Sequence, residues 1–487
     1  MTEQHTNPHH TRRWLILAVL GLAQLMVVLD ATIVNIALPS AQKALGFSDA
    51  NRQWIVTAYA LSFGSLLLLG GRLGDLFGRK RALILGLSGF AIASAAGGLA
   101  QSFEVLVIAR AAQGAFGALL APSALSLLTT TFTDPAERGK AFGIYGAIAG
   151  GGGAIGLLLG GVLTEYLSWR WCLYVNLLLA VPAGLAALAL LHNQAQRSTL
   201  KVDVPGTLAA SGGLFALVYG FSNAQTHSWG APLTIAMLAA SVVLLTVFVA
   251  IERRVEHPLL PLRVVLDRNR GGSYAAVGIV GAGMFGVFLF LTYYLQQTLG
   301  FSPIKTGLAF LPMIGVLSVT ASLTTARILP RIGPRLPITI GMLGAAAGMV
   351  MLTGVGIHST YAANVLPALL VMGLGIGLVM APAMSSATLG VANTDAGVAS
   401  AMVNTMQQVG GSVGTALLST LAASATSGFM AGKAPTAAAA ASAAVHGYTT
   451  AFWWSAAIFA VGAVVCGLLL KPGAQQVDPA AEPVLVH

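Results

Sequence analysis

Fourteen runs of roughly 20 or more residues, almost free of charge, dominate this chain: 14–37, 52–70, 82–101, 104–130, 140–164, 170–191, 205–223, 231–251, 272–297, 304–325, 336–356, 361–388, 398–424 and 448–470. A helix rising about 1.5 Å per residue needs roughly 20 apolar residues to cross the hydrocarbon of a bilayer. Inside lipid every backbone amide must find its partner within the protein, which leaves helices or closed barrels, and the runs are too long for barrel strands. The expected fold class is therefore all-α and polytopic, with fourteen transmembrane helices. Composition agrees: Asp, Glu, Lys and Arg make up 8% of the 487 residues, against about 25% in soluble domains, too few to clothe a soluble surface. The two cysteines, Cys172 and Cys466, both lie in apolar runs and do not make a disulfide scaffold.

The formal net charge of +10 does not point to nucleic acid, because the basic residues sit in short clusters between apolar runs and form no continuous stripe. They set topology instead. With the N-terminus inside, nineteen Lys and Arg fall in inner segments or at the inner ends of runs and five on the outer side, and Arg110 alone lies well inside a run. Positive residues stay on the cytoplasmic side, so both termini are expected there, in the inner membrane. Arg12 and Arg13 precede an apolar run as in a signal peptide, but no small-residue cleavage site follows, and the run reads as a retained first helix. The histidines His5, His9 and His10 read as part of a tail; all nine histidines are placed in loops or tails.

Two longer polar loops, 192–204 and 252–270, divide the runs as 6+2+6. The expected organisation is a tail over 1–13, a six-helix bundle over 14–191, a linker with two extra helices over 192–270, a second bundle over 271–470 and a tail over 471–487. The extra pair is expected to pack peripherally. The basic loop 71–81 (GRLGDLFGRKR) has a counterpart at 326–335 (ARILPRIGPR), aligned on Gly78 and Gly333, at the same junction of each six-helix unit. Internal symmetry of this kind is typical of transporters built from repeated bundles. Many of the 58 glycines lie inside runs, where small residues let helices approach closely.

Motifs of soluble enzymes occur without their context. Gly281-Ala-Gly283-Met-Phe-Gly286 fits a dinucleotide fingerprint but follows no strand, and Gly410-Gly-Ser412-Val-Gly414 lies in an apolar run rather than at a strand-to-helix turn. There is no phosphate-binding GxxxxGK[ST] loop and no zinc motif. No enzymatic activity, cofactor or metal is expected.

The informative residues are ionisable ones inside apolar runs. Asp30 in the first and Arg110 in the fourth each cost about 3 kcal/mol at a helix centre unless they face a cavity or a partner. Two readings stand: a static pair pinning two helices, or a protonatable carboxylate tuned by a nearby cation. Since Glu104 and Glu165 lie near the outer surface, Asp30 is the candidate proton carrier. Arg110, Gln113, Gly114 and Gly117 share one helical face, as do Ser400, Asn404, Gln407, Gln408, Gly411 and Thr415. Such stripes either line a central aqueous cavity or bind helices together. Phe285, Phe288, Thr292 and Gln296 form a mixed aromatic and polar face open to the same alternatives.

On these residues the chain resembles the major facilitator superfamily, in its fourteen-helix drug:proton antiporter branch, from about residue 14 to 470. Gly71-Arg-Leu-Gly74-Asp75-Leu-Phe-Gly78-Arg79-Lys80-Arg81 resembles the superfamily's signature loop, which latches helices during alternating access. Leu29-Asp30-Ala-Thr32-Ile-Val-Asn35-Ile-Ala-Leu-Pro39 is similar to the first-helix motif of the drug-exporting branch, and Arg110-Ala-Ala-Gln113-Gly114 to its RxxQG motif, associated with proton coupling. Gly143, Gly152, Gly156, Gly160 and Gly161 follow the antiporter motif of the fifth helix, with Leu157 in place of its proline. Trp169-Arg170-Trp171 and Asn176 resemble the opening of the branch's sixth helix.

The resemblance implies a monomeric efflux transporter for drugs, antibiotics or other amphiphilic small molecules, exchanged for protons. Asp30, Arg110 and Gln113 are the expected coupling residues, and Asn35, Phe285, Phe288, Asn404, Gln407 and Gln408 the expected cavity lining. A dedicated exporter of one endogenous metabolite or host-made antibiotic is the main alternative. A proton symporter and a non-transporting sensor or scaffold are weaker ones.

Overall fold

The computed structural model describes residues 12–47, 49–191, 203–256, 258–392, 395–431, 434 and 436–473. The His5, His9 and His10 trio and most of the 192–204 loop lie outside them. Thirteen of the described helices are long and apolar enough to cross a membrane, and a bent pair makes the fourteenth. In chain order they are α1 (Arg13–Leu45), α2 (Asp49–Phe77), α3 (Arg79–Gly98), α4 (Phe103–Thr131), α5 (Pro135–Tyr166), α6 (Trp171–Leu190), α7 (Val204–Thr226) and α8 (Pro232–Glu252). After a short helix at Leu262–Leu266 come α9 (Arg268–Thr298), α10 (Ile304–Ile332), α11 (Arg335–Leu352), α12 (Tyr361–Thr388), α13 (Ala396–Met430) and α14 (Ala437–Leu469).

Helices α1 to α6 pack mainly on one another, as do α9 to α14. The two bundles meet along α2 against α13 and α5 against α10 and α12. Capping side chains start several helices: Ser102 for α4, Asp203 for α7, Ser302 just before α10 and Thr436 for α14. The repeat seen in the sequence has a backbone basis. Gly78 (φ +93°) and Gly333 (φ +75°) both adopt left-handed angles, at the α2–α3 and α10–α11 junctions, where a side chain would be strained.

Two features depart from the sequence reading. The helix α14 begins at Ala437 rather than 448, so His446, expected in a loop, lies on the exposed face of a helix. The alanine run from Ala437 has the highest helix propensity and extends the element beyond its apolar stretch. Secondly, α7 is not peripheral. Its partner α8 is, with Ile235, Val242 and Val243 exposed, but α7 packs against both α2 and α13.

Helix α5 bends by 45° between Glu137–Gly153 and Leu158–Tyr166. A proline is not needed for this, because the glycine-rich stretch around the bend holds an α-helix weakly. A Cβ at Gly152 would meet Val28, one at Gly156 would meet Thr32 and Leu29, and one at Gly160 would meet Ile33. These three glycines therefore seat α1 directly on α5, on either side of Asp30. Gly143 instead abuts Ser322 of α10, so one helix contacts both bundles through different glycines. Gly161 is buried beside them.

Candidate functional site

Asp30 is fully buried where α1, α3, α4 and α6 converge, and Arg110 of α4 is 1% exposed. Arg110 Nη1 donates to Asp30 Oδ2 at 2.5 Å and to Gln113 Oε1 at 2.8 Å. The other carboxylate oxygen, Oδ1, accepts from Gln113 Nε2 at 3.0 Å and from Asn176 Nδ2 at 2.7 Å. Ser94 Oγ of α3 accepts from both amides, at 2.7 Å from Gln113 and 3.3 Å from Asn176. Two buried charges are tolerable only with this degree of pairing, since desolvation alone costs several kcal/mol per ion. Arg110 reaches Asp30 both directly and through Gln113. Asn176 and Ser94 complete a cluster that the sequence placed only in part.

The arginine also touches α2. Its Nε donates to the Ile55 carbonyl at 3.3 Å, and its guanidinium lies 4.4 Å from the centre of the Tyr59 ring. A Cβ at Gly114 would meet the Tyr59 carbonyl at 2.4 Å, and one at Gly117 the Phe63 ring at 3.0 Å. The polar stripe of α4, one candidate for cavity lining, thus faces the interior of its own bundle; its glycines exist to bring α2 close.

A separate cavity of about 330 Å³ lies between the bundles, within the range of small-molecule sites. Its walls are Val56, Thr57 and Ala60 of α2; Val218, Phe221 and Ser222 of α7; Val280, Gly281, Met284 and Phe288 of α9; Ile376 and Met380 of α12; and Gln407, Gln408, Gly411, Ser412 and Thr415 of α13. None of these residues carries a formal charge. The stripe on α13 divides: Gln407, Gln408, Gly411 and Thr415 line the cavity, whereas Asn404 is buried and donates to the Ser400 carbonyl at 3.0 Å. Asn404 therefore does not line the cavity, contrary to expectation; its amide is satisfied by its own helix. Phe288 lines it from a π-helical turn, Val287–Leu291, and packs on Phe310. The side chains of Asn35 and Phe285 lie outside the described residues.

Helix α2 serves both places. Ile55 and Tyr59 meet Arg110, while Val56, Thr57 and Ala60 face the cavity.

At the end of the molecule bearing the basic loops the bundles are closed. Asp75 Oδ1 accepts from the amide of Gly397, near the start of α13, at 3.0 Å, and Arg79 lies 3.5 Å from the same oxygen. A helix N-terminus favours an anion there. Gly71 and Gly397 leave no room for a Cβ between α2 and α13, and Gly74 packs beside Ser123. Lys80 Nζ donates to the carbonyls of Leu188 and Leu191 at the end of α6, while Arg81 is exposed. On the other side of the interface Arg138 of α5 donates to Thr388 Oγ1 at 3.0 Å and the Ser385 carbonyl at 3.4 Å. Cavity residues 56–60 lie in the half of α2 away from this closed end.

A sequence profile described as Major Facilitator Superfamily matches residues 20–415. The chain belongs to this superfamily. It is 50% identical to the puromycin resistance protein of Streptomyces alboniger, over 96% of this chain and 93% of that one. It is 38% identical to the cephamycin export protein of Amycolatopsis lactamdurans, over 83% and 84%. The crystal structure of the human organic anion transporter MFSD10 shares the fold, with a TM-score of 0.63 at 14% identity, covering 93% of this chain and 99% of that one. In this superfamily member the signature loop 71–81 finds its partner at Gly397, a position no motif in the sequence marks.

Proposed function

We propose that this major facilitator exports an amphiphilic, antibiotic-like small molecule in exchange for protons, with Asp30 as the proton carrier. The observation that carries the proposal is the division of labour on α2. One face contacts the arginine that holds Asp30, and the other lines an uncharged cavity of drug-like size. A proton on Asp30 removes the charge that Arg110, Gln113 and Asn176 are arranged around. The arginine's hold on α2 then changes, and with it the cavity wall. Substrate in the cavity biases the same helix from its other side. Such a shared two-state element is the physical requirement for coupling two ligands.

Orientation follows from charge: the basic end, closed by Asp75 with Gly397 and by Arg138 with Thr388, is cytoplasmic. The cavity then belongs to the outer half, and this conformation is the one that takes up protons from outside. Each charge moved inward through 100 mV supplies about 2.3 kcal/mol, about fiftyfold in concentration. Relatives named for resistance to puromycin and for export of cephamycin support efflux rather than uptake. Because each is named for a single compound, a narrow substrate range is the second reading.

Proteoliposomes holding the purified chain test the proposal. Puromycin should accumulate against its gradient when an imposed proton gradient favours exchange, and a protonophore should abolish the accumulation. Accumulation that ignores the proton gradient would contradict antiport.

A further inference from the structure

The two bundles alone do not enclose the cavity. On the side where α2 faces α13, the wall is completed by α7, one of the inserted helices. Val218, Phe221 and Ser222 fall at i, i+3 and i+4 and so form one helical face. This helix is fastened to both bundles. Thr57 and Ser222 share a hydroxyl hydrogen bond at 3.3 Å, and the Trp54 and Tyr219 rings lie 6.1 Å apart. Just past its end, Trp229 Nε1 donates to Thr420 Oγ1 of α13 at 3.1 Å. At Gly64 the three helices converge, since a Cβ there would touch Val218 on one side and Gln408 on the other.

We propose that α7 is a substrate-selecting wall of the cavity, with Phe221 and Ser222 in direct contact with the transported molecule. The proposal rests on the export reading and deepens it. Phe221 and Phe288 are the aromatic residues of the lining, so α7 supplies one of two surfaces on which a planar ring can stack. Ser222 adds a hydroxyl beside those of Thr57 and Ser412 and the amides of Gln407 and Gln408. With no formal charge in the lining, recognition is by stacking and neutral hydrogen bonds. The class of substrate that fits is a planar or aromatic molecule with several hydrogen-bonding groups, whose charge is not the feature read.

The test compares puromycin, rich in hydrogen-bonding groups, with tetraphenylphosphonium, a lipophilic cation with none. Apparent KM values are measured in proteoliposomes for wild type, Phe221→Ala, Ser222→Ala and Leu208→Ala; Leu208 lies on α7 but is 68% exposed on its outer surface. The ratio of the two KM values should change about fivefold or more in the Phe221 or Ser222 variant, the effect of one lost neutral hydrogen bond or stacking contact. Leu208→Ala should keep the wild-type ratio. An unchanged ratio in both cavity variants overturns the proposal.

If wild type transports neither compound, the export reading fails for them, and labelling decides the role of α7. Cys172 and Cys466 are both buried, so a Ser222→Cys variant reports its own site. Reaction with a charged methanethiosulfonate, slowed by either compound, supports the assigned wall; an unreactive cysteine, or one that neither compound protects, overturns it.

Discussion

Asp30 and Arg110 illustrate how much a buried residue depends on its partners. Every polar bond to the carboxylate comes from a different helix or a different turn, from Arg110, Gln113 and Asn176. Removing Arg110 alone strands a buried charge, at a cost of about 3–5 kcal/mol. Arg110→Leu should therefore lower the thermal stability of the detergent-solubilised protein sharply, and adding Asp30→Asn should restore most of it. A double variant no more stable than Arg110→Leu would mean that the pair is not coupled. Asp30, Arg110 and Gln113 were legible in the sequence because charge and amide inside apolar runs are expensive and conspicuous. Asn176 carries the same signal, one amide in the apolar run of α6, and stood out as part of a sixth-helix motif, but its link to Asp30 came only from the fold. Ser94 carried no signal, since serine is common in membrane helices and its role depends on two neighbours from other elements.

At the scale of elements, glycine positions decide which helices can approach. A Cβ at Gly156 would come within 2.0 Å of Thr32 Oγ1 and 3.0 Å of the Leu29 carbonyl, next to Asp30; at Gly153 it would come no nearer than 3.6 Å to Thr32. Gly156→Ala should impair proton-coupled transport severely, whereas Gly153→Ala should be tolerated; equal effects would show that the seating of α1 on α5 is unimportant. The glycine spacing was readable from the sequence, but which helix it faced was not, because periodicity gives a face and not a neighbour. The same gap concealed α7. Its lining residues lie in the second half of α7, inside an insertion, and nothing in 218–222 reveals that α2 and α13 leave a side of the cavity uncovered. Conversely, Glu252 at the end of α8 accepts from the amides of Leu259 and Leu260 at 3.1 and 2.9 Å. These leucines join Leu68, Ala210, Val398 and Ala401 in one buried cluster linking α2, α7 and α13. The cluster also includes Phe248, so α7 through Ala210 and α8 through Phe248 are both tied to α2 and α13.

Across the whole molecule, fourteen helices, their 6+2+6 grouping and the repeat at Gly78 and Gly333 followed from apolar run length, loop polarity and charge. The conformation did not, because closure depends on contacts between bundles, such as Asp75 with Gly397 and Arg138 with Thr388. Ala401 is fully buried in the contact between α2 and α13. Asp75→Asn removes the charge that the start of α13 holds, so a cysteine at Ala401 should become more reactive to an impermeant maleimide applied from the basic side. Unchanged reactivity would place the latch elsewhere.

Whether Asp30 carries the exchanged proton is decided by proton release from proteoliposomes on addition of puromycin, comparing wild type with Asp30→Asn while puromycin binding is measured on the same preparations. Puromycin should evoke proton flux in wild type and none in Asp30→Asn, with binding retained because the cavity lining does not include residue 30. Undiminished flux in Asp30→Asn would contradict that role.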